Sequence, residues 1–261
     1  MEQGLFAAEQ VQIYLLVFVR VSAMLALLPI FGSQNVPVHI KVAVTALLAF
    51  MLYPMVEGRG AVEVPLAWGM FVFSVIKELF IGIVIGFAAS LLFAGVQFAG
   101  RLVDTQMGFA FVQLVDPFTS ARVTTLGQLK IIVFTILFLL LNGHYFLLLA
   151  VQKSFEVIPL CGAHMPGGKT AYVLTEMTAG VFESAVKLAA PVFVTLVLTS
   201  LSMGVIARTV PQINVFFVGL PLKIFLGLGT TIVAFPALAI VFRKMVDQLM
   251  RDIWRLLYLM A

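Results

Sequence analysis

Ten ionisable residues lie inside or tight against long apolar runs of this 261-residue chain: Arg20, Lys77, Glu78, Arg101, Asp104, Lys130, Glu183, Lys187, Arg208 and Lys223. Groups of these types could move protons or ions through a bilayer, or pair with one another. Arg101 and Asp104 stand at i,i+3, and Glu183 and Lys187 at i,i+4 with Glu first, spacings at which helix side chains meet. Both pairs read as salt links at helix ends ahead of a proton or ion path. Arg20, Lys130 and Lys223 have no local partner, so any partner comes from another helix or another chain.

Residues suited to covalent or metal chemistry are sparse. Gly168-Lys169-Thr170, with Ala163 five positions before Gly168, is a loosened likeness of a phosphate-binding loop. A working loop needs a parallel strand before it, a helix after it and an acidic metal ligand. Here LCGAHMPGGKT joins apolar runs, and it reads as a polar connection rich in turn formers. Cys161 and His164 have C-x-x-H spacing, but two ligands do not make a structural metal site. His144 follows Asn142-Gly143 inside an apolar run and reads as a packed histidine, and His39 falls in a loop. The lone cysteine excludes an internal disulfide framework. Zinc-protease, nucleophile-elbow and dinucleotide fingerprints are absent from the sequence. No catalytic, cofactor or metal residue is expected, and the chain is read as not an enzyme.

The elements that carry these charges must be membrane helices. Apolar residues make up 62% and charged residues 11%, whereas a soluble domain carries roughly a quarter charged residues. A charge at mid-bilayer costs about 3 kcal/mol, so ten facing lipid would cost on the order of 30. A typical domain has only about 5–15 kcal/mol of stability. Some of these charges must therefore pair, lie near water, or sit on helices that do not span conventionally. Basic residues are scattered, with no nucleic-acid face, except for Arg243, Lys244, Arg251 and Arg255. That cluster places the C-terminus in the cytoplasm. Glu2 and Glu9, with no Lys or Arg before Arg20, do not fit a cleavable leader, so the first helix is expected to be retained.

Apolar runs lie at roughly 11–31, 42–56, 64–76, 79–99, 131–151, 188–207 and 212–242. A spanning helix needs about 20 apolar residues, which 11–31, 79–99, 131–151 and 188–207 supply outright. The 42–56 and 64–76 runs are short. The last run suits a bent helix or a hairpin, with Pro221 and Pro236 as break points. Gly82, Gly86, Ser90 and Ala94 recur every fourth residue, a ridge on which another helix can pack closely. The partner is a helix of this chain or, as the lesser alternative, of another subunit.

Two segments exceed what packing needs. Gln106 to Ser120 begins with a glycine, presents Phe109, Phe111 and Leu114, and ends in a Pro117-marked turn. Irregular backbone at membrane depth is tolerated only inside protein or along a water-filled cavity, and bulky apolar side chains there can close a pore by excluding water. A buried re-entrant connector is the plainer reading. Arg208 to Lys223 sets Arg, Pro, Gln, Asn, Gly, Pro and Lys between two apolar arms, the plan of a helical hairpin with a polar turn.

At ARTVPQINVFFVGLPLKI and QMGFAFVQLVDP the chain resembles the FliR family of flagellar export proteins, which is related to the injectisome component SctT. The likeness runs over essentially the whole sequence. It implies an all-α membrane protein, a bundle of kinked helical hairpins whose residues 1–187 are similar to a FliP subunit and 188–261 to a FliQ hairpin. It also implies assembly with FliP-like and FliQ-like chains, association with an FlhB-like protein, and placement of much of the gate on the periplasmic side. The family's plug maps onto Gly108 to about Ser120, with Phe109, Phe111 and Leu114 at the constriction. Arg208, Pro211, Gln212, Asn214, Gly219, Pro221 and Lys223 match the hairpin motif and imply subunit packing. The expected function is that of a structural and gating subunit of the flagellar type III export apparatus. It would sit in the bacterial inner membrane at the flagellar basal body and pass unfolded flagellar proteins. The alternative is a transporter of a small solute or ion that uses the intramembrane charges. Inverted repeats would favour it, and no internal duplication is found.

Overall fold

A computed structural model describes residues 2–32, 36–57, 68–109, 125–162, 167–212 and 214–261. Among these residues there are eight helices and no strand, an all-α membrane protein. The helices are α1 (Glu2–Leu27), α2 (Pro29–Gly32), α3 (Val38–Glu57), α4 (Trp68–Met107), α5 (Thr125–Leu140), α6 (Gly143–Val157), α7 (Gly168–Thr209) and α8 (Val215–Met260). Five of them are long and apolar enough to cross a membrane, and a sixth crossing is possible if α5 and α6 form one broken span.

The element ends follow from local chemistry. Pro37 presets the first turn of α3, whose opening bonds run from the Ile40 and Lys41 amides to the Pro37 carbonyl. The run at 131–151 is not one helix, contrary to expectation. Asn142 takes a left-handed conformation, φ 57°, which an α-helix cannot continue through, and the chain restarts as α6. At the start of α8 the Asn214 Oδ1 accepts from the Phe216 amide at 3.2 Å, satisfying an orphan donor of the first turn.

Three expected boundaries dissolve. Residues 68–76 and the 79–99 run belong to one 40-residue helix, because Lys77 and Glu78 do not interrupt it. The 188–207 run is the later part of the 42-residue α7. Pro221 and Pro236 do not break the last run, and α8 continues through both for 46 residues. Each proline removes one backbone donor, a local loss within a helix that long. At about 1.5 Å per residue, α4, α7 and α8 extend about 60, 63 and 69 Å, roughly twice the ~30 Å hydrocarbon thickness of a bilayer.

The chain divides into two compact units. One comprises Met1–Leu91, Asn142–Thr178 and Gln248–Ala261. Within it Leu16, Val17, Val21 and Met24 of α1 are buried, as are Ile81 and Ile85 of α4. The Tyr14 hydroxyl of α1 donates to the Ala46 carbonyl of α3 at 3.1 Å. The other unit comprises Leu92–Leu141 and Ala179–Asp247. Its interior is aromatic: Phe93 meets Phe138 and Phe134 meets Phe242, at centroid separations of 5.3 and 4.9 Å, spacings at which ring pairs attract.

Candidate functional site

The first unit is organised around a buried charge, and glycine makes that possible. A Cβ on Gly82 would collide with the Arg20 carbonyl oxygen and lie 2.6 Å from Ala23 Cβ. A Cβ on Gly86 would lie 2.7 Å from the Met24 carbonyl oxygen and 3.0 Å from Leu27 Cβ. The two glycines therefore let α4 approach the backbone of α1. Ala94 is exposed, and the Ser90 hydroxyl donates to the Phe87 carbonyl of its own helix. Four-residue steps advance about 400° around a helix of 3.6 residues per turn, so a ridge of that spacing drifts off any one face.

One turn before Gly82, Glu78 meets Arg20. The Arg20 Nε donates to Glu78 Oε2 at 2.5 Å, and both side chains are completely buried. Nη1 donates to the Ser154 hydroxyl at 3.1 Å, and Nη1 and Nη2 both reach the Ile158 carbonyl at 3.2 Å. The guanidinium carbon lies 4.1 Å from the centroid of the Phe155 ring. The other Glu78 oxygen, Oε1, accepts from the Cys161 amide at 3.3 Å, and Lys77 Nζ donates to the Cys161 carbonyl at 3.3 Å. Cys161 holds a left-handed φ of 63°, a conformation uncommon outside glycine. The cluster thus clasps the chain as it leaves α6. A charge surrounded by ionic, hydroxyl, carbonyl and π partners is fit for holding helices together.

The second unit has its own buried carboxylate. A Cβ on Gly100 would sit 3.1 Å from Gly127 Cα, so α4 and α5 cross glycine against glycine. Four residues on, the buried Asp104 accepts from the Gly127 amide at 3.0 Å. Gly127 lies in the first turn of α5, where amides lack helical partners and a negative charge is favoured. Lys130, itself buried, lies within electrostatic reach of Asp104. The expected Arg101–Asp104 link is not formed: Arg101 is exposed, while Asp104 turns to α5. Glu183 and Lys187 do pair, at 2.5 Å, but on an exposed stretch inside α7 and not at a helix end.

The remaining sequence-based candidates fall in three places. Gly108, at φ 91°, and Phe109 follow the end of α4, while Phe111 and Leu114 lie outside the described residues, as does His164. Arg208, Pro211, Gln212 and Asn214 are exposed around the turn between α7 and α8. Gly219 is buried, with Met203 Cε 3.5 Å from where its Cβ would stand. Pro221 is exposed and Lys223 partly buried within α8. Gly168-Lys169-Thr170 forms the opening turn of α7. Sequence reasoning missed Glu78 as the ion-pair partner of Arg20 and the Gly127 amide as a donor to Asp104. Only the adjacent glycines, Gly82 and Gly100, hinted at where helices would come close enough for these contacts.

Fold and buried charges together define a helical membrane scaffold whose ionic groups tie its helices to one another. Residues 11–249 match the family described as bacterial export proteins, family 1. The chain belongs to this family, that of the FliR proteins. It is 34% identical over 233 residues to the flagellar biosynthetic protein FliR of Bacillus subtilis (strain 168), covering 88% of this chain and 89% of that one. It is 29% identical over 244 residues to the protein of the same name from Caulobacter vibrioides, covering 92% and 96%. Against that of Escherichia coli (strain K12) it is 27% identical over 228 residues, covering 87% and 85%.

Proposed function

We propose that this chain is the gating and structural subunit of a flagellar type III export gate, completing a channel with FliP-like and FliQ-like chains and receiving an FlhB-like partner. Its role in the flagellar export apparatus, as a membrane component, follows from the family. The finer reading is supported chiefly by the surface of α7. Tyr172, Phe182, Val186, Val194, Leu198, Leu201, Val205 and Ile206 are exposed along it, a stretch of about 51 Å at 1.5 Å per residue. The exposed Glu183–Lys187 pair interrupts that stretch. Lipid about 30 Å thick cannot cover so long a face, and it disfavours an ion pair at depth. Water disfavours the apolar residues. Neighbouring protein satisfies both, as in a helical assembly standing partly outside the bilayer.

In this reading the strap from Gly108 to about Ser120 closes the channel with Phe109, Phe111 and Leu114. The hairpin residues from Arg208 to Lys223 pack against neighbouring subunits. The boundary between FliP-like and FliQ-like parts, near residue 188, falls inside α7, so the two parts share one continuous helix. The C-terminus lies on the cytoplasmic side, where Arg243, Lys244, Arg251 and Arg255 favour it. The internal bonding of Arg20 to Glu78, Ser154 and Ile158 favours a scaffold over a solute carrier, whose charges face a pathway.

Affinity isolation from membranes, followed by ion-permeability measurement, tests this. The chain should co-purify with FliP-like and FliQ-like partners, and Phe109→Ala with Phe111→Ala should make the membrane leak ions. A solute-transporting homodimer would refute the assembly. A tight membrane, with the variant correctly assembled, would refute the plug.

A further inference from the structure

α4 ends in a glycine-terminated cap. The Gly108 amide bonds the Thr105 carbonyl at 3.2 Å and the Phe109 amide bonds the Asp104 carbonyl at 3.1 Å. With Gly108 left-handed, this is the paired bonding of a Schellman motif. Such a cap sets the direction in which the chain departs, provided that the helix end itself is fixed.

What fixes it is on α8. Met107, the last residue of α4, is fully buried. A Cβ on Gly227 would stand 3.1 Å from Met107 Cγ and 3.2 Å from its Sδ, and would overlap its terminal methyl outright. The thioether therefore lies directly on the α8 backbone, in a notch that exists only because residue 227 has no side chain. Two turns earlier on α8, Leu220 Cγ and Cδ1 stand 3.6 Å from where a Gly108 Cβ would be. Leu220 and Gly227 are seven residues apart, hence on one face of the helix. Knob and cap are seated together on that face.

We propose that Gly227 is a positioning residue, the seat that locks Met107 and thereby sets the path on which the chain leaves α4 through Gly108 and Phe109. Any displacement of α8 at this level is passed to Phe109 through Met107. The functional consequence rests on the plug reading above: α8 holds the root of the strap, so the hairpin and the closure of the channel move as one. The seat itself stands or falls without that reading.

The test uses the complex in native membranes, with the single cysteine removed (Cys161→Ser) and a probe placed by Phe109→Cys. Maleimide labelling of position 109 reports the path of the chain, and ion permeability reports the plug. Gly227→Ala should change the labelling rate on the order of tenfold, the shift that moderate overpacking gives a local opening equilibrium. Gly229→Ala, where a Cβ meets nothing within 4 Å, should leave it unchanged. Adding Met107→Ala to Gly227→Ala removes the collision and should bring labelling back towards its starting rate. Wild-type labelling in Gly227→Ala, or a change that Met107→Ala does not relieve, overturns the seat. If Gly227→Ala does not accumulate but the double variant does, the collision is the cause and the proposal holds. If neither accumulates, Met107→Ala alone decides: an emptied notch must alter labelling, and an unaltered rate overturns the proposal. Permeability is scored separately in Phe109 chains. Altered labelling with a tight membrane keeps the seat and removes the plug.

Discussion

Two ion pairs of identical separation do different work in this molecule. Arg20–Glu78 and Glu183–Lys187 each close to 2.5 Å. The first is wholly buried between α1 and α4, which glycine lets approach, and each partner also bonds the chain leaving α6. The second joins neighbours on one helix, with both side chains more than half exposed. Proximity alone says little about what a pair contributes. An exposed pair trades water for water-screened attraction, whereas breaking a buried pair strands a charge where nothing replaces its partner.

Three variants sharpen that contrast. Glu78→Ala strands Arg20 in the interior and should cost about 3–5 kcal/mol, seen as loss of the assembled protein from membranes and a large drop in unfolding temperature. A drop no larger than that of a surface variant would mean that water or lipid headgroups reach Arg20. Gly82→Ala leaves both charges in place but pushes α4 off the Arg20 carbonyl. Overpacking of this kind costs about 1–3 kcal/mol, so thermal unfolding in detergent should shift by an intermediate amount. Were the variant as stable as its parent, the close approach would not be what brings the pair together. The smallest effect belongs to Glu183→Gln with Lys187→Gln, which should leave unfolding temperature unchanged. Weakened co-purification of partners by that double variant would show that a neighbouring subunit buries the pair.

The sequence disclosed what local rules govern. The i,i+4 spacing of Glu183 and Lys187 announced their pairing, and the apolar runs announced the helices. Its errors came from charges used as boundary marks. Lys77 and Glu78 look like the edge of a membrane segment, yet α4 carries them through, because Glu78 finds a cation 58 residues away in the chain. Asp104 stands at good spacing from Arg101, yet Arg101 is exposed and the buried carboxylate accepts from an orphan amide in the first turn of α5. Proline misled in the same way: it marks where a helix loses a bond, not where it ends. Pro211 and Asn214 act within a few residues of themselves, and α7 ends and α8 begins on either side of them. The seat of Met107 could not be foreseen, since a glycine in an apolar run carries no sign of what it faces.

The 46 residues of α8 carry a last implication. An ordinary spanning helix must tilt, kink or deform the surrounding lipid when acyl chains lengthen or shorten. In α8 the uncharged stretch from residue 224 to 242 extends about 28 Å, close to one hydrocarbon thickness. Lys223 bounds it at one end and Arg243 with Lys244 at the other, so a bilayer that slid along the rod would draw a charge into hydrocarbon. Lipid that thickens or thins must therefore bend to meet these two marks, and the rest of the rod is left to water or neighbouring protein.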